Sequence, residues 1–261
     1  MNKQHKARKR FGQNFLQDSQ IIHQIIMAID PIATEHLVEI GPGQGAITEP
    51  LLDAQCELDV VELDRDLVEQ LTSRFSHIDR FTLHSADALT FDFSALDHGQ
   101  PLRVIGNLPY NISTPLLFHL LTQASHIKDM HFMLQKEIVN RLQAQPGSKQ
   151  FGRLSIMVQL HCQVEALFDV EPECFHPQPK VMSSIVRITP YRQQKYLIDD
   201  MQLFETIVKA AFSQRRKTIK NTLKNICDDN ALDAANIAPS LRAEALTIDD
   251  FVNLSNQLSR A

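Results

Sequence analysis

A strand-like run, Leu37-Val38-Glu39-Ile40, passes directly into Gly41-Pro42-Gly43-Gln44-Gly45, and this junction constrains the fold more than any other stretch of the chain. Glycines at alternate positions allow a turn tight enough to bring the backbone against a ligand. A helix is expected to begin at about Gly45, its free amide hydrogens open to polar or negative groups. Around this turn, short apolar runs alternate with longer mixed segments from about residue 35 to 190. Strands are expected at 37–40, 57–62, 79–84, 102–106, 129–134, 154–163 and 183–189, and helices at 19–29, 45–54, 65–75, 114–124 and 135–143. Strands hidden on both faces need near-continuous apolar character, so the alternation predicts an α/β fold with a mostly parallel sheet and covering helices. No helix-length segment separates the last two strand candidates. They are expected to form an antiparallel pair closing the sheet, which a dinucleotide-binding half lacks.

Beyond Pro190 the β-branched alternation ends, and 197–212, 214–227 and 249–259 read as helices. The expected organisation is a catalytic domain over 1–190, begun by a basic arm, and a small all-α domain over 191–261. A chain of 261 residues with 43% hydrophobic content can bury the cores this requires. Cys56, Cys162, Cys174 and Cys227 are too far apart for a zinc knuckle, so reduced cytosolic thiols and no metal are expected. No apolar run approaches the roughly 18 residues of a membrane span. The basic start leads into Phe11-Gly12-Gln13-Asn14-Phe15 instead of a hydrophobic stretch, so no signal peptide is expected.

The net charge of −5 conceals a strong polarity. Lys3, Lys6, Arg8, Lys9 and Arg10 crowd the first ten residues, and Arg215, Arg216, Lys217, Lys220 and Lys224 crowd 211–224, with no acid in either stretch. Removing these ten cations leaves −15 for the remainder. Such separation can steer a polyanion onto one face while the other repels it. Arg216 and Lys220 lie four apart, the spacing of one helical face, and Phe212, Ile219 and Leu223 supply docking residues. A helix of this kind suits a phosphate backbone, preferably structured RNA. A solvated, solubilising surface is the alternative.

Two further features give the turn a chemistry. Leu58-Asp59-Val60-Val61-Glu62 ends in an acid 21 residues after Gly41, placed to accept both ribose hydroxyls of a nucleoside cofactor. Asp87, after the next strand, can accept from an adenine amino group at the same rim; Asp64 and Asp66 read more simply as an exposed loop and a helix start. Phe11-Gly12-Gln13-Asn14-Phe15-Leu16 could fold over the cofactor, with Asn14 and the Leu16 backbone at its amino-acid end, or pack on the sheet through Phe11, Phe15 and Leu16. The second feature is Asn107-Leu108-Pro109-Tyr110, directly after an apolar run. The exocyclic nitrogen of adenine is a poor nucleophile, because its lone pair is delocalised into the ring. Acceptors at Asn107 Oδ1 and the Leu108 carbonyl, aimed at its hydrogens, favour a pyramidal nitrogen that can attack a sulfonium methyl. Pro109 fixes φ, Tyr110 offers a stacking face, and Phe175 could supply a second. Catalysis of this kind is positioning and electrostatics and needs no side-chain base, so His176 is not assigned that role.

In this order the motifs resemble one family closely. Arg10-Phe11-Gly12-Gln13-Asn14-Phe15-Leu16, Glu39-Ile40-Gly41-Pro42-Gly43, Asn107-Leu108-Pro109-Tyr110, Pro177-Gln178-Pro179-Lys180-Val181 and Phe212-Ser213-Gln214-Arg215-Arg216-Lys217-Thr218 are similar to the bacterial small-subunit rRNA adenine dimethyltransferases. Gln44 and the acidic overall charge depart from the family's general picture. The resemblance implies a seven-stranded, Rossmann-like class I methyltransferase fold with an antiparallel last strand, and S-adenosylmethionine as cofactor. It implies dimethylation at N6 of two adjacent adenosines near the 3′ end of 16S rRNA, in an immature small ribosomal subunit, by a cytoplasmic monomer with a part in subunit maturation. By the family pattern Asn14, Leu16, Gly41, Gly43, Glu62, Asp87 and Asn107 serve the cofactor. Asn107, Leu108, Pro109, Tyr110 and Phe175 serve the base, and Arg215, Arg216, Lys217 and Lys220 the RNA. The rival expectations are a non-catalytic assembly or RNA-binding factor of the same fold, and a DNA adenine methyltransferase.

Overall fold

The computed structural model describes residues 12–260, so the basic arm and Phe11 lie outside the described residues. The chain divides into two compact units. One runs to Val139 and resumes over Val164–Pro190; the other is Asn140–Gln163 with Tyr191 onward. The segment 140–163, expected within the first domain, therefore belongs with the helical one.

The first unit alternates strand and helix: β1 Phe15–Leu16, α1 Ser19–Ile29, β2 His36–Ile40, α2 Thr48–Asp53, β3 Glu57–Glu62, α3 Arg65–Phe75, β4 Phe81–Ser85, β5 Leu102–Asn107, α4 Ser113–Leu121 and β6 Ile127–Gln135. After α5 (Lys136–Leu142) and α6 (Arg153–His161) come β7 Cys162–Val170, β8 Phe175–His176 and β9 Ser183–Pro190. Seven strands form one sheet in the order β4-β3-β2-β5-β6-β9-β7, while β1 pairs with β8 in a separate two-stranded sheet. Pairing is parallel from β4 through β6 and antiparallel between β6 and β9. Every residue of β2 is buried, as the apolar run predicted. The strand order reverses between β2 and β5, and open α/β sheets bind their ligands at the carboxyl ends of strands flanking such a point.

Two expectations fail, each for a physical reason. Residues 154–163 form α6 instead of a strand, and β7 starts only at Cys162. Leu154, Ile156, Met157, Val158 and Leu160 are all buried, and a helix covered nearly all round presents the same continuous apolar run as a buried strand. The second failure is the helix expected at 214–227. Only α8, Ile219–Leu223, is regular, and Arg215 and Arg216 lie in a turn before it. Arg216 and Lys220 at four-residue spacing would set like charges on one helical face, which opposes the helix. The rest of the helical unit comprises α7 Met201–Ala211, α9 Asp229–Ala234 and α10 Ile248–Arg260. Its core includes a chain of rings, Phe151 to Phe212 at 6.4 Å and Phe212 to Phe251 at 6.0 Å between centroids.

At the amino ends of the strands, buried Arg103 of β5 ties the first unit together. It reaches Asp129 on the adjacent strand at 3.0 Å, Glu35 at 2.6 Å and the Ile29 carbonyl at the end of α1 at 2.6 Å. Arg103→Ala takes the guanidinium from buried Asp129 and leaves Glu35 with Lys128 alone, and is expected to lower the unfolding free energy by about 3–5 kcal/mol in urea denaturation at pH 7. Burial pushes the Asp129 carboxyl up, but His131 and the Arg103 guanidinium outweigh burial and hold it at about 2, below its ordinary 3.8. A depressed carboxyl stabilises the fold above its unfolded value and loses that contribution as pH falls through the folded one. Stability should therefore drop by about 2 kcal/mol between roughly pH 4 and pH 2, and Arg103→Ala should flatten that limb.

Candidate functional site

A cleft of about 1240 Å³, including its open mouth, lies at the carboxyl ends of β2 to β5. Its walls include Asn14, Leu16, Gly41, Gly43, Glu62, Asp87, Asn107, Leu108, Pro109, Tyr110 and Phe175. All the residues expected to serve a cofactor and a base thus converge on one space. The surrounding sheet explains why: each lies at a strand end, in the loop that follows, or on the segment that crosses the rim.

On the side of the glycine turn, Gly41 takes φ +63°, and a Cβ built on it meets nothing within 4 Å, so the cleft itself occupies that place. Gly43 takes φ +59°, and a Cβ there would come 2.9 Å from Phe15 Cδ1. The second glycine thus lets the crossing segment lie flat on the turn. Glu62 is buried at the end of β3, where its Oε1 accepts the Asp64 amide at 2.8 Å. Burial pushes its carboxyl up, and nearby amides oppose the shift. Asp87 follows β4, and its Oδ1 accepts the Leu89 amide at 2.9 Å, which fixes the loop on the rim. Asp64 is not in an exposed loop as expected. It is buried, caps α3 through the Asp66 amide, and accepts Gln13 Nε2 at 3.0 Å.

On the other side, Asn107 closes β5, and its Nδ2 donates to the Asn14 carbonyl at 3.0 Å. Donation through nitrogen leaves Oδ1 as the acceptor end of that amide. The Leu108 amide donates to Met133 of β6 at 3.2 Å, and Ile112 closes the turn on the Pro109 carbonyl at 3.1 Å. Tyr110 is half-buried. Its hydroxyl shares a 3.0 Å hydrogen bond with Ser183 Oγ, while Ser113 Oγ donates to its carbonyl at 3.2 Å. Phe175 is buried in β8 and paired with Leu16 of β1, so it forms part of the same wall.

Sequence reading missed Gln13, Thr48, Asp64 and Ser183. Gln13 sat inside a quoted motif without a role; the others carry no periodicity signal, because each acts through a partner distant in sequence. In the helical unit, Arg215, Arg216, Lys217 and Lys220 are exposed. Arg215 donates to the Lys149 carbonyl, and Lys220 pairs with Asp229. Among the described residues no cluster of three or more His, Cys, Asp or Glu could hold a metal ion, and no helix is long and apolar enough to cross a membrane.

Comparison with known proteins agrees with this geometry. The sequence profile of the family described as Ribosomal RNA adenine dimethylase matches residues 4–260. The chain is 56% identical over 257 residues to Ribosomal RNA small subunit methyltransferase A of Pseudomonas aeruginosa, covering 98% of this chain and 96% of that protein. It is 55% identical over 255 residues to the protein of the same name from Saccharophagus degradans, covering 97% and 95%. Among solved structures, a dimethyladenosine transferase from Plasmodium falciparum aligns with a TM-score of 0.78 at 24% identity, over 92% of this chain and 95% of that one. The 23S rRNA methyltransferase ErmE aligns with a TM-score of 0.72 at 23% identity, over 94% and 100%. These two likenesses establish the Rossmann-like methyltransferase fold.

One group in the cleft carries a measurable pH signature. Burial pushes the Glu39 carboxyl up to about 7, and Glu62 pushes the same way against the 2.6 Å hydrogen bond from Thr48 Oγ1. A raised carboxyl favours folding below its unfolded value of 4.5 and loses that advantage as pH rises through about 7. Glu39→Gln keeps an acceptor for Thr48 and removes the titration. Its unfolding free energy should lack the decline of about 3 kcal/mol expected for the parent between roughly pH 4.5 and pH 7, as read by urea titrations across that range.

Proposed function

This chain belongs to the ribosomal RNA adenine dimethylase family, and from that premise we propose how its cleft performs methyl transfer from S-adenosylmethionine to N6 of two adjacent adenosines near the 3′ end of 16S rRNA. The observation that carries the reading is the single cleft shared by the glycine turn and the Asn107 loop. The substrate is the rRNA within an immature small subunit, met in the cytoplasm by a monomer of this chain.

The residues present fit the cofactor. The space beside Gly41, which a side chain would fill, suits a ligand drawn close to the backbone, and Glu62 offers carboxylate oxygens where ribose hydroxyls need acceptors. Asn14, Leu16, Gly41, Gly43, Glu62 and Asp87 hold it, Asp87 taking the adenine end and Asn14 with Leu16 the amino-acid end. When bound, S-adenosylmethionine supplies a methyl group activated by a sulfonium. Asn107 Oδ1 and the Leu108 carbonyl accept the two hydrogens of the target amine, which frees its lone pair as the nitrogen pyramidalises. Pro109 keeps those acceptors from wandering, and Tyr110 and Phe175 hold the base that leaves its stack. Two fixed acceptors need no reorganisation as charge grows on the nitrogen, which is where the rate gain lies. The spent proton passes to solvent.

Incubation with methyl-labelled S-adenosylmethionine and undermethylated small subunits, followed by nucleoside analysis, tests the reading. Labelled N6,N6-dimethyladenosine is expected; its absence removes the proposal. Asn107→Ala should slow transfer on the order of 10²–10³-fold while RNA affinity stays within a few fold. Equal loss in both would count against the acceptor role.

The exposed cations of the helical unit contribute phosphate contacts. Arg216→Ala and Lys217→Ala should each lower the slope of log affinity against log salt by about 1. Lys220→Ala should change it less, because Asp229 already neutralises that ammonium.

A further inference from the structure

We infer that Ser183 is a positioning residue for the target base, acting through the Tyr110 ring. The inference rests on the reading above, in which Tyr110 stacks the base. Tyr110 and Ser183 stand 73 residues apart, and their hydroxyls meet at 3.0 Å. β6 is their common frame: Leu108 hangs from Met133, and Ser183 pairs with Gln135 two residues farther along the same strand. Ser183 is 1% exposed. Its surroundings are held as well, since Ser184 Oγ donates to Asp169 at 2.5 Å and the Lys136 ammonium reaches the same carboxylate at 2.6 Å. The serine hydroxyl is therefore a fixed point.

A fixed point at that place settles where the ring stands. Rotation about Cα–Cβ would carry the phenol to another staggered position and its stacking face with it, and an anchored hydroxyl forbids that swing. Tyr110 is held at both ends, its carbonyl by Ser113 Oγ and its hydroxyl by Ser183 Oγ. Nine residues of chain, Phe175 to Ser183, carry one aromatic wall at the start and the anchor of the other at the end. The spacing of the two faces is thus set by one segment. Holding the base between them positions its amine against Asn107 and Leu108, where a small displacement costs rate and not affinity for the methyl donor.

The chain contains three tyrosines and no tryptophan. With Tyr191 and Tyr196 of the helical unit replaced by Phe, emission reports Tyr110 alone. In that background the experiment compares the parent, Ser183→Ala, Tyr110→Phe and the double variant, using small subunits as substrate. Ser183→Ala is expected to lower kcat about tenfold, the worth of one hydrogen bond, with KM for S-adenosylmethionine unchanged. The quenching of Tyr110 emission by a protein-free RNA fragment carrying the two adjacent adenosines should weaken in parallel. The double variant should lose no more than Tyr110→Phe alone, because each single change breaks the same bond. Parental turnover and quenching in Ser183→Ala would overturn the inference. So would losses that multiply in the double variant, or a rise in the donor KM that accounts for the whole effect. If Ser183→Ala fails to fold, Tyr110→Phe breaks the bond from its other side and must show the same tenfold loss. Tyr110→Leu separates this inference from its premise: undiminished transfer there removes the stacking role itself. Lost transfer there, beside parental behaviour of Ser183→Ala, removes only the role of Ser183.

Discussion

The close approach of β2 and β5 at the sheet's rim is the constraint on which the site depends. Gly106 pairs with Ile40, and a Cβ at position 106 would stand 2.7 Å from the Ile40 carbonyl and 2.8 Å from Leu108 Cδ2. Only a residue without a side chain lets the two strands run side by side to their ends while Leu108 folds back between them. One residue beyond that contact the two strands part into different chemistry, β2 into the glycine turn and β5 into the Asn107 loop. Methyl transfer demands that reacting atoms come within about 3–3.5 Å of one another, in line. A gap opened at Gly106 would separate the two halves of the cleft by at least a methyl group's width. The geometry of the reaction is in that sense inherited from a backbone contact in the sheet.

The same strands carry buried charge at both ends and handle it in opposite ways. At their amino ends Arg103 offsets Asp129 and Glu35, and the network locks α1, β5 and β6 together. At the carboxyl ends two carboxylates, Glu39 and Glu62, are held by a hydroxyl and by backbone amides, and each is pushed up by burial. A stability-driven design would not leave two acids so close beneath an open cleft. The charges at the amino ends thus hold the fold together, while the acids at the carboxyl ends sit beneath the cleft as buried acceptors whose ionisation the surroundings oppose.

Much of this was legible in the sequence, and the illegible parts share a cause. The strands β2, β3 and β5 announced themselves because burial on both faces leaves largely apolar runs. The glycine turn and the Asn107 loop followed from their position after those runs. The helix α6 produced the same apolar signature and was read as a strand, since periodicity cannot separate the two when every face is covered. β7 was missed for the opposite reason: Gln163, Glu165 and Ala166 are exposed, and its pattern resembles a loop. The basic segment near Arg215 was read correctly as charge and wrongly as helix, because charge content says nothing of whether like charges can share a helical face. Asp64 was misread as part of an exposed loop and Ser183 was given no role, as each depends on a partner that only the fold brings near.

The segment Gly12–Leu16 links these features into one working unit. Gln13 reaches Asp64 beyond β3, the Asn14 carbonyl holds Asn107 beyond β5, Phe15 lies on Gly43, and Leu16 pairs with Phe175. The Asn107 amide is therefore oriented by the backbone of the segment that crosses the glycine turn. An asparagine amide can flip its oxygen and nitrogen at little cost in shape, so its orientation must come from a hydrogen bond. Here that bond exists only when the segment lies across the rim. The same segment that lies over the glycine turn thus sets the polarity of the amide at the end of β5, and the two sides of the cleft are built as one.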